Sequence, residues 1–318
     1  MRVTLEKNGL SGSIDLPAPE TEIKSFRENM GTTDPADNSF RIADVLPDFQ
    51  AGLCLCGQTV DLDHLNLLAR TVDGLDAYER RQFEAGAMYM GIDNLRGLVN
   101  LTQNTSHFSL VTPDDTLRDI GFHHYMNLHG GIAADEIEKT DFAGIGLRLI
   151  QSGEGYPTPY GVVYENETPV FDFFDGEHMP VYYDETDSIG VLMKYGGEEE
   201  FLQLPVPESA IDRAAARLGA DDAKLCGIEV DSDPDEELLK SCPDIKALNR
   251  YLQDEQLAES DPPSMRVNVF QLNGDPRRLK FMEYELLSFS FDRSFLFFEF
   301  VSVFLAFHKF CKIPIFQF

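Results

Sequence analysis

Asp61-Leu62-Asp63-His64-Leu65-Asn66-Leu67-Leu68-Ala69-Arg70 is the stretch on which the fold turns. An acid followed by apolar residues at Leu62, Leu65, Leu68 and Val72 predicts a capped helix with one buried stripe. Side chains three and four apart share a helix face, and a carboxylate accepts from the free amides of a first turn. Downstream, the polar turn Asp73-Gly74-Leu75-Asp76 breaks that helix, and a second one is expected over roughly Ala77 to Met90. Leu98-Val99-Asn100-Leu101-Thr102 reads as a short strand, and a third helix is expected around Thr116 to His129.

Upstream, Val3 to Glu6 and Ser13 to Leu16 can pair as a hairpin around Gly9 to Gly12. Pro19 and Glu20 open a helix through Ile23, Phe26 and Met30, and Gly31 stops it. Ser39 to Val45 alternates as a third strand, and residues 46–60 form a looser connection. The N-terminal Arg2-Val3-Thr4-Leu5-Glu6 reads as a strand and not as a secretory leader.

Part of this pattern returns. Leu16-Pro17-x-Pro19-Glu20-x-x-Ile23 with Gly31 recurs as Leu204-Pro205-x-Pro207-Glu208-x-x-Ile211 with Gly219, at an offset of 188. Asp61-Leu62-x-x-Leu65-Asn66 recurs as Asp244-Ile245-x-x-Leu248-Asn249, at an offset of 183. Residues 191–255 therefore read as a second copy of the N-terminal unit with its following helix. Between the copies, Phe171-Asp172-Phe173-Phe174-Asp175-Gly176-Glu177 alternates aromatic and acid, as a strand with one buried face would. Asp231 to Glu237 is an acidic stretch, and Pro262-Pro263 marks a linker.

The expected fold class is α+β: an elongated chain of small α/β and helical domains with an internally repeated N-terminal unit. The domains are residues 1–60, 61–166, 167–260 and a C-terminal tail or truncated module at 265–318. In that tail a strand restarts at Met265 to Phe270, and an apolar run follows from Ser294 to Phe307. The run contains Glu299 and is shorter than the ~20 residues of a spanning helix, so a buried element is expected and no membrane.

The net charge is -29. Residues 266–318 hold seven Lys/Arg and five Asp/Glu, which leaves 19 basic and 50 acidic residues, a net of −31, in residues 1–265. Such a surface repels nucleic acid and attracts basic clefts, so no direct nucleic-acid binding is expected. The five cysteines, Cys54, Cys56, Cys226, Cys242 and Cys311, are scattered and odd in number, which suits reduced thiols in a cytoplasm.

The motifs of common enzyme classes are missing. There is no phosphate-binding G-x-x-x-x-G-K-[ST], no G-x-G-x-x-G after a strand, no H-E-x-x-H and no G-x-S-x-G. Gly144-Ile145-Gly146 and Gly153-Glu154-Gly155 read as turns. His107, His123, His124 and His129 lack an i, i+4 pair, and Cys54-Leu55-Cys56 has no second pair at zinc spacing, so no metal site is expected. No catalytic residue and no cofactor is assigned.

The layout of residues 1–166 resembles the antirestriction ArdA family. The resemblance rests on the helix with Leu65-Asn66-x-Leu68, the second helix linked by Leu75-Asp76, and the acidic helix ending near Gly130-Gly131. It rests also on Asp141-Phe142-Ala143-Gly144-Ile145-Gly146-Leu147 and on a closing hairpin at Tyr160 to Tyr164. The start near residue 265 resembles a YodL-like module. The resemblance implies an elongated homodimer, carried by a mobile element, that occupies the DNA groove of a type I restriction-modification enzyme. The acids on matching segments are Asp73, Asp76, Glu79, Glu84, Asp93, Asp114, Asp115, Asp119, Asp135, Glu136, Glu138 and Asp141. Each could stand where a phosphate stands, and each could be an ordinary solvated acid. A CRISPR effector or another nucleic-acid-binding defence complex is the same idea with another target. An Asp/His hydrolase near residues 107–141, and a scaffold binding host proteins through its apolar tail, are the rivals from other classes.

Overall fold

A computed structural model describes residues 1–46, 49–181, 189–230, 242–259, 267–272 and 279–284. Helices and small antiparallel sheets make it an α+β protein. The chain divides into two units, Met1–Gln253 and Asp254–Phe318.

The first unit opens on a hairpin, β1 (Arg2–Lys7) and β2 (Leu10–Asp15), turned at Asn8-Gly9. Both turn residues have positive φ, 52° and 80°, which glycine adopts freely and asparagine tolerates. The expected turn was longer, but Gly12 lies inside β2, opposite Leu5. A Cβ there would sit 3.1 Å from Phe26 and Met30, so the gap lets helix α1 (Glu20–Asn29) close on the sheet. Strand β3 (Ser39–Val45) pairs antiparallel with β1, and β4 (Thr59–Asp61) with β3, giving the order β2-β1-β3-β4.

β4 runs straight into α2 (Leu62–Asp73), which Asp61 caps by accepting from the amides of Asp63 and His64. Helices α3 (Ala77–Met90) and α4 (Leu95–Thr102) follow, then β5 (Phe108–Val111). One apolar core runs from Val3 and Leu5 through Leu62, Leu65 and Leu68 to Phe83, Leu98 and Phe108. The boundary expected at residue 60 therefore falls inside a continuous core.

The expected strand at Leu98 to Thr102 is a helix. Asn94 accepts from the amide of Gly97 at 2.8 Å and starts it, and Leu95, Leu98, Val99 and Leu101 are all buried. A short apolar run does not distinguish strand from buried helix; the cap residue decides. Helices α5 (Leu117–His129), α6 (Ala134–Ile137) and α7 (Phe142–Gln151) come next. Gly144-Ile145-Gly146, expected as a turn, lies within α7. The glycines serve a helix crossing: a Cβ on Gly121 would lie 1.8 Å from the Phe142 carbonyl, and one on Gly146 2.2 Å from that of Leu117. The hairpin β6 (Tyr156–Thr158) and β7 (Gly161–Glu165) joins β5 in the order β5-β7-β6.

The aromatic and acidic segment after β7 is not a strand through Phe171–Glu177. Side chains of α4 and of the turn after it take the part of a sheet neighbour. Asn104 accepts from the Phe171 amide and donates to its carbonyl, both at 2.9 Å. Asn100 accepts from the amides of Phe173 and Phe174 and donates to the Phe174 carbonyl, again at 2.9 Å. Phe174 is buried; Phe171 is 65% exposed.

β8 (Ile189–Tyr195) and β9 (Glu198–Leu204) form a second hairpin, followed by α8 (Glu208–Arg217), β10 (Gly227–Val230) and α9 (Ile245–Glu259). β10 pairs antiparallel with β8, so hairpin, helix and third strand come in the same order and pairing as β1, β2, α1 and β3. The details correspond too. Leu16-Pro17 and Leu204-Pro205 are both cis, and Gly31 and Gly219 end their helices at φ 72° and 74°. Asn66 of α2 accepts from the Ala18 amide and donates to its carbonyl, at 2.8 and 3.1 Å. Asn249 of α9 does the same to Val206, at 2.8 Å in both directions. This second segment has its own core, built on Val191, Met193, Ile211, Ala214, Ile245 and Leu248.

In the second unit, β11 (Val267–Leu272) pairs antiparallel with β12 (Leu279–Tyr284). The acidic run at 231–237 and the apolar run at 294–307 lie outside the described residues.

Candidate acidic interface

The acids singled out in residues 61–166 mostly stand at the joints of the helices. Asp76 caps α3, accepting from the amides of Tyr78 and Glu79 at 2.7 and 2.8 Å, while Glu79 accepts from the Asp76 amide at 2.9 Å. Asp119 and Thr116 form the same reciprocal cap on α5. The hydroxyl and amide of Thr116 hold the Asp119 carboxyl below the usual carboxylate range. Asp141 caps α7 by accepting from Gly144 at 2.9 Å. Asp115 accepts from the Thr112 amide at 2.6 Å, ahead of α5.

Asp73, Asp76, Asp93, Asp114, Asp119, Glu136, Glu138 and Asp141 are exposed, and Glu79 and Asp115 are half-buried. The side chain of Asp135 lies outside the described residues. A carboxylate at a helix start suits the positive end of the helix dipole, so these placements also serve folding. The caps have a second effect: they fix the carboxylates in space without further ordering.

Glu84 must be removed from the set. It is 5% exposed and accepts from the Ala51 amide at 2.6 Å and from the Tyr160 hydroxyl at 3.4 Å. Burial pushes its carboxyl up, against those hydrogen bonds. It braces the 3-10 turn Ala51–Leu55 against α3 and is closed to a partner.

The sequence holds a further asymmetry. Residues 61–166 carry 16 Asp/Glu and seven Lys/Arg; residues 167–265 carry 25 and seven, a net of −18. More than half of the acidic excess therefore lies after the segments first singled out. Part of it is used internally. Glu200 is fully buried and receives Arg217, whose Nε lies 2.7 Å from Oε1. Arg213, 1% exposed, holds Asp63 with Nε and Nη2 at 2.9 and 3.0 Å and reaches Glu20 at 2.7 Å. Arg217 reaches Asp63 at 2.7 Å. Burial alone would raise the Asp63 carboxyl, but the two guanidinium groups hold it well below the usual range. Glu20 and Glu200 are raised, because desolvation outweighs their arginine contacts. This network joins α1 and α2 to β9 and α8. No single motif marks it; the signal was that Arg213 and Arg217 lie on one face of α8, four residues apart.

No family model matches the chain, and no curated protein matches it.

Two of the four histidines singled out, His107 and His124, are hydrogen-bonded locally. His107 Nδ1 lies 2.5 Å from the Thr168 carbonyl and Nε2 3.0 Å from Glu165. His124 Nδ1 lies 2.8 Å from Ser109 Oγ, but Ser109 is 2% exposed, which closes that pair to a substrate. Burial lowers the His124 imidazole, and His129 adds to this. Among the described residues no three His, Cys, Asp or Glu are grouped to hold a metal ion. The Cys54 thiol donates to the Ala51 carbonyl at 3.0 Å, and Cys56 is exposed. No helix of the described residues is long and apolar enough to cross a membrane.

Proposed function

We propose that this chain is a DNA-mimic inhibitor of host defence that binds in the DNA groove of a type I restriction-modification enzyme, as its resemblance to ArdA proteins implies. The observation that carries the reading is a run of exposed carboxylates at successive helix joints, several held by their own caps, within residues of net charge −31. Duplex DNA carries one charge per ~1.7 Å of axis, so 31 excess acids correspond to roughly 50 Å of duplex. A groove lined with Lys and Arg releases the same counterions to carboxylates as to phosphates, so binding weakens with salt. Carboxylates already fixed by caps lose little freedom on binding. Leu117, Leu128, Leu147 and Ile150 of α5 and α7 are exposed, and we assign the contact of a homodimer to these two helices. The dimer acts in the cytoplasm, where the cysteines stay reduced. A CRISPR effector with a basic channel is the alternative target of the same surface.

The test is capture from a host lysate on the immobilised protein, at low and at high salt. Recovery of a nuclease or methyltransferase subunit that is lost at high salt supports the reading. A partner held equally at high salt would place the contact on apolar surface and overturn it.

A further inference from the structure

The buried network lies between two segments of matching architecture, yet the contact is not symmetric. Residues of the first segment accept, through Glu20 and Asp63; residues of the second donate, through Arg213 and Arg217. The corresponding positions differ at Asp63 and at both arginines, while Glu20 keeps its acid as Glu208. By the offset of 188, Arg213 and Arg217 correspond to Ser25 and Asn29, which are exposed in α1. By the offset of 183, Asp63 corresponds to Lys246. Lys246 is engaged within its own segment, 2.6 Å from Asp212, and Asp212 corresponds to Lys24. The charges at Lys24 and Asp63 of the first segment are thus reversed at Asp212 and Lys246 of the second.

We propose that residues 189–253 are a tandem copy of the N-terminal unit docked on it head to tail, and that these charge differences make the docking one-way and end it at two copies. This inference is independent of the DNA-mimic reading. A head-to-tail contact between identical units uses different faces on each, so it repeats without limit unless it closes into a ring. Here the second copy keeps an acid at Glu208, which takes Arg250 at 3.1 Å, but presents Lys246 where the twice-held Asp63 would be needed. The first copy presents a short, neutral serine and asparagine where guanidinium donors would be needed. The bidentate grip of Arg213 on Asp63 adds direction, because planar guanidinium and carboxylate fit in a fixed geometry. The exposed α1 face is thereby kept from recruiting the second segment of another chain.

Two variants of the full chain test this. In the first, Arg213→Ser with Arg217→Asn gives the second copy the residues of the first. Amide hydrogen exchange at residues 20–23 and in α8 should speed up at least tenfold, while α3 stays protected. Unchanged protection, or equal loss in α3, would show that the network does not hold this docking in particular, and would overturn the proposal. In the second, Ser25→Arg, Asn29→Arg, Asp212→Lys and Lys246→Asp give each copy the face it lacks. Sedimentation velocity should then show concentration-dependent assemblies larger than those of the unaltered protein. Sedimentation indistinguishable from that protein would refute the claim that these charges end the array.

Discussion

Asp63 and Glu84 are both acids close to the core, and their surroundings give them opposite pH behaviour. Asp63 sits between two guanidinium groups that hold its pKa down. Its contribution to stability is present above its ordinary pKa of 3.8 and is lost as the pH falls through the lowered value. Arg213→Met leaves that carboxylate buried with half of its partners, and breaking a buried pair costs about 3–5 kcal/mol. Urea unfolding at neutral pH measures this; an unchanged midpoint would contradict the role given to the network. Glu84 faces the reverse case, since burial raises its pKa. Its stabilising effect belongs to low pH and is lost as the pH rises through the raised value. Glu84→Gln should therefore be at least as stable as the natural protein at pH 7, the advantage shrinking towards the ordinary pKa of 4.5. Urea midpoints compared across that range check the sign. The sequence could not separate these two acids from exposed ones, because burial of a single acid depends on what folds over it.

Elements were legible where a local signal fixed them. α1, α3 and β3 fall where their caps, stops and alternation place them. The clamp by Asn66 and Asn249 was visible only as a repeated Leu-Asn pair; its partner lies 48 residues away in one case and 43 in the other. Asn66→Ala would leave the Ala18 amide and carbonyl buried without that partner, at about 1–3 kcal/mol for each group. Asn249→Ala should cost less, because Val206 is half-buried and its carbonyl keeps the Gln253 side-chain amide at 2.9 Å, and thermal melting of both variants compares them. α4 and the segment after β7 escaped for related reasons. In both, asparagine side chains do work that the pattern of apolar residues does not show: Asn94 starts α4, and Asn100 and Asn104 pair with the later backbone. The glycine crossing of α5 and α7 was likewise hidden, since two glycines far apart in sequence carry no sign that they meet. Gly121→Ala forces those helices apart, and overpacking of this kind costs about 1–3 kcal/mol. A urea midpoint equal to that of the natural protein would show that the crossing is loose.

At the scale of the whole molecule, charge is the dominant fact, and the sequence alone states it. What it could not state is which carboxylates face outward. Ten of the acids first singled out are exposed or half-buried, one is buried, and the largest acidic excess lies beyond them in residues 167–265. If the chain imitates DNA, its inhibition should fall in small steps as exposed acids such as Asp76, Asp114 and Glu138 are neutralised together, and no single conservative change should abolish it. The most direct measurement is the affinity of the full chain for purified type I restriction-modification enzyme, over about 50 to 200 mM salt, with and without competing duplex. A ligand engaging 6–10 charges is expected to lose roughly 10³–10⁵ in affinity over that range. A fall of that order and displacement by the duplex are the expected result. Binding that ignores both salt and duplex would contradict the DNA-mimic reading.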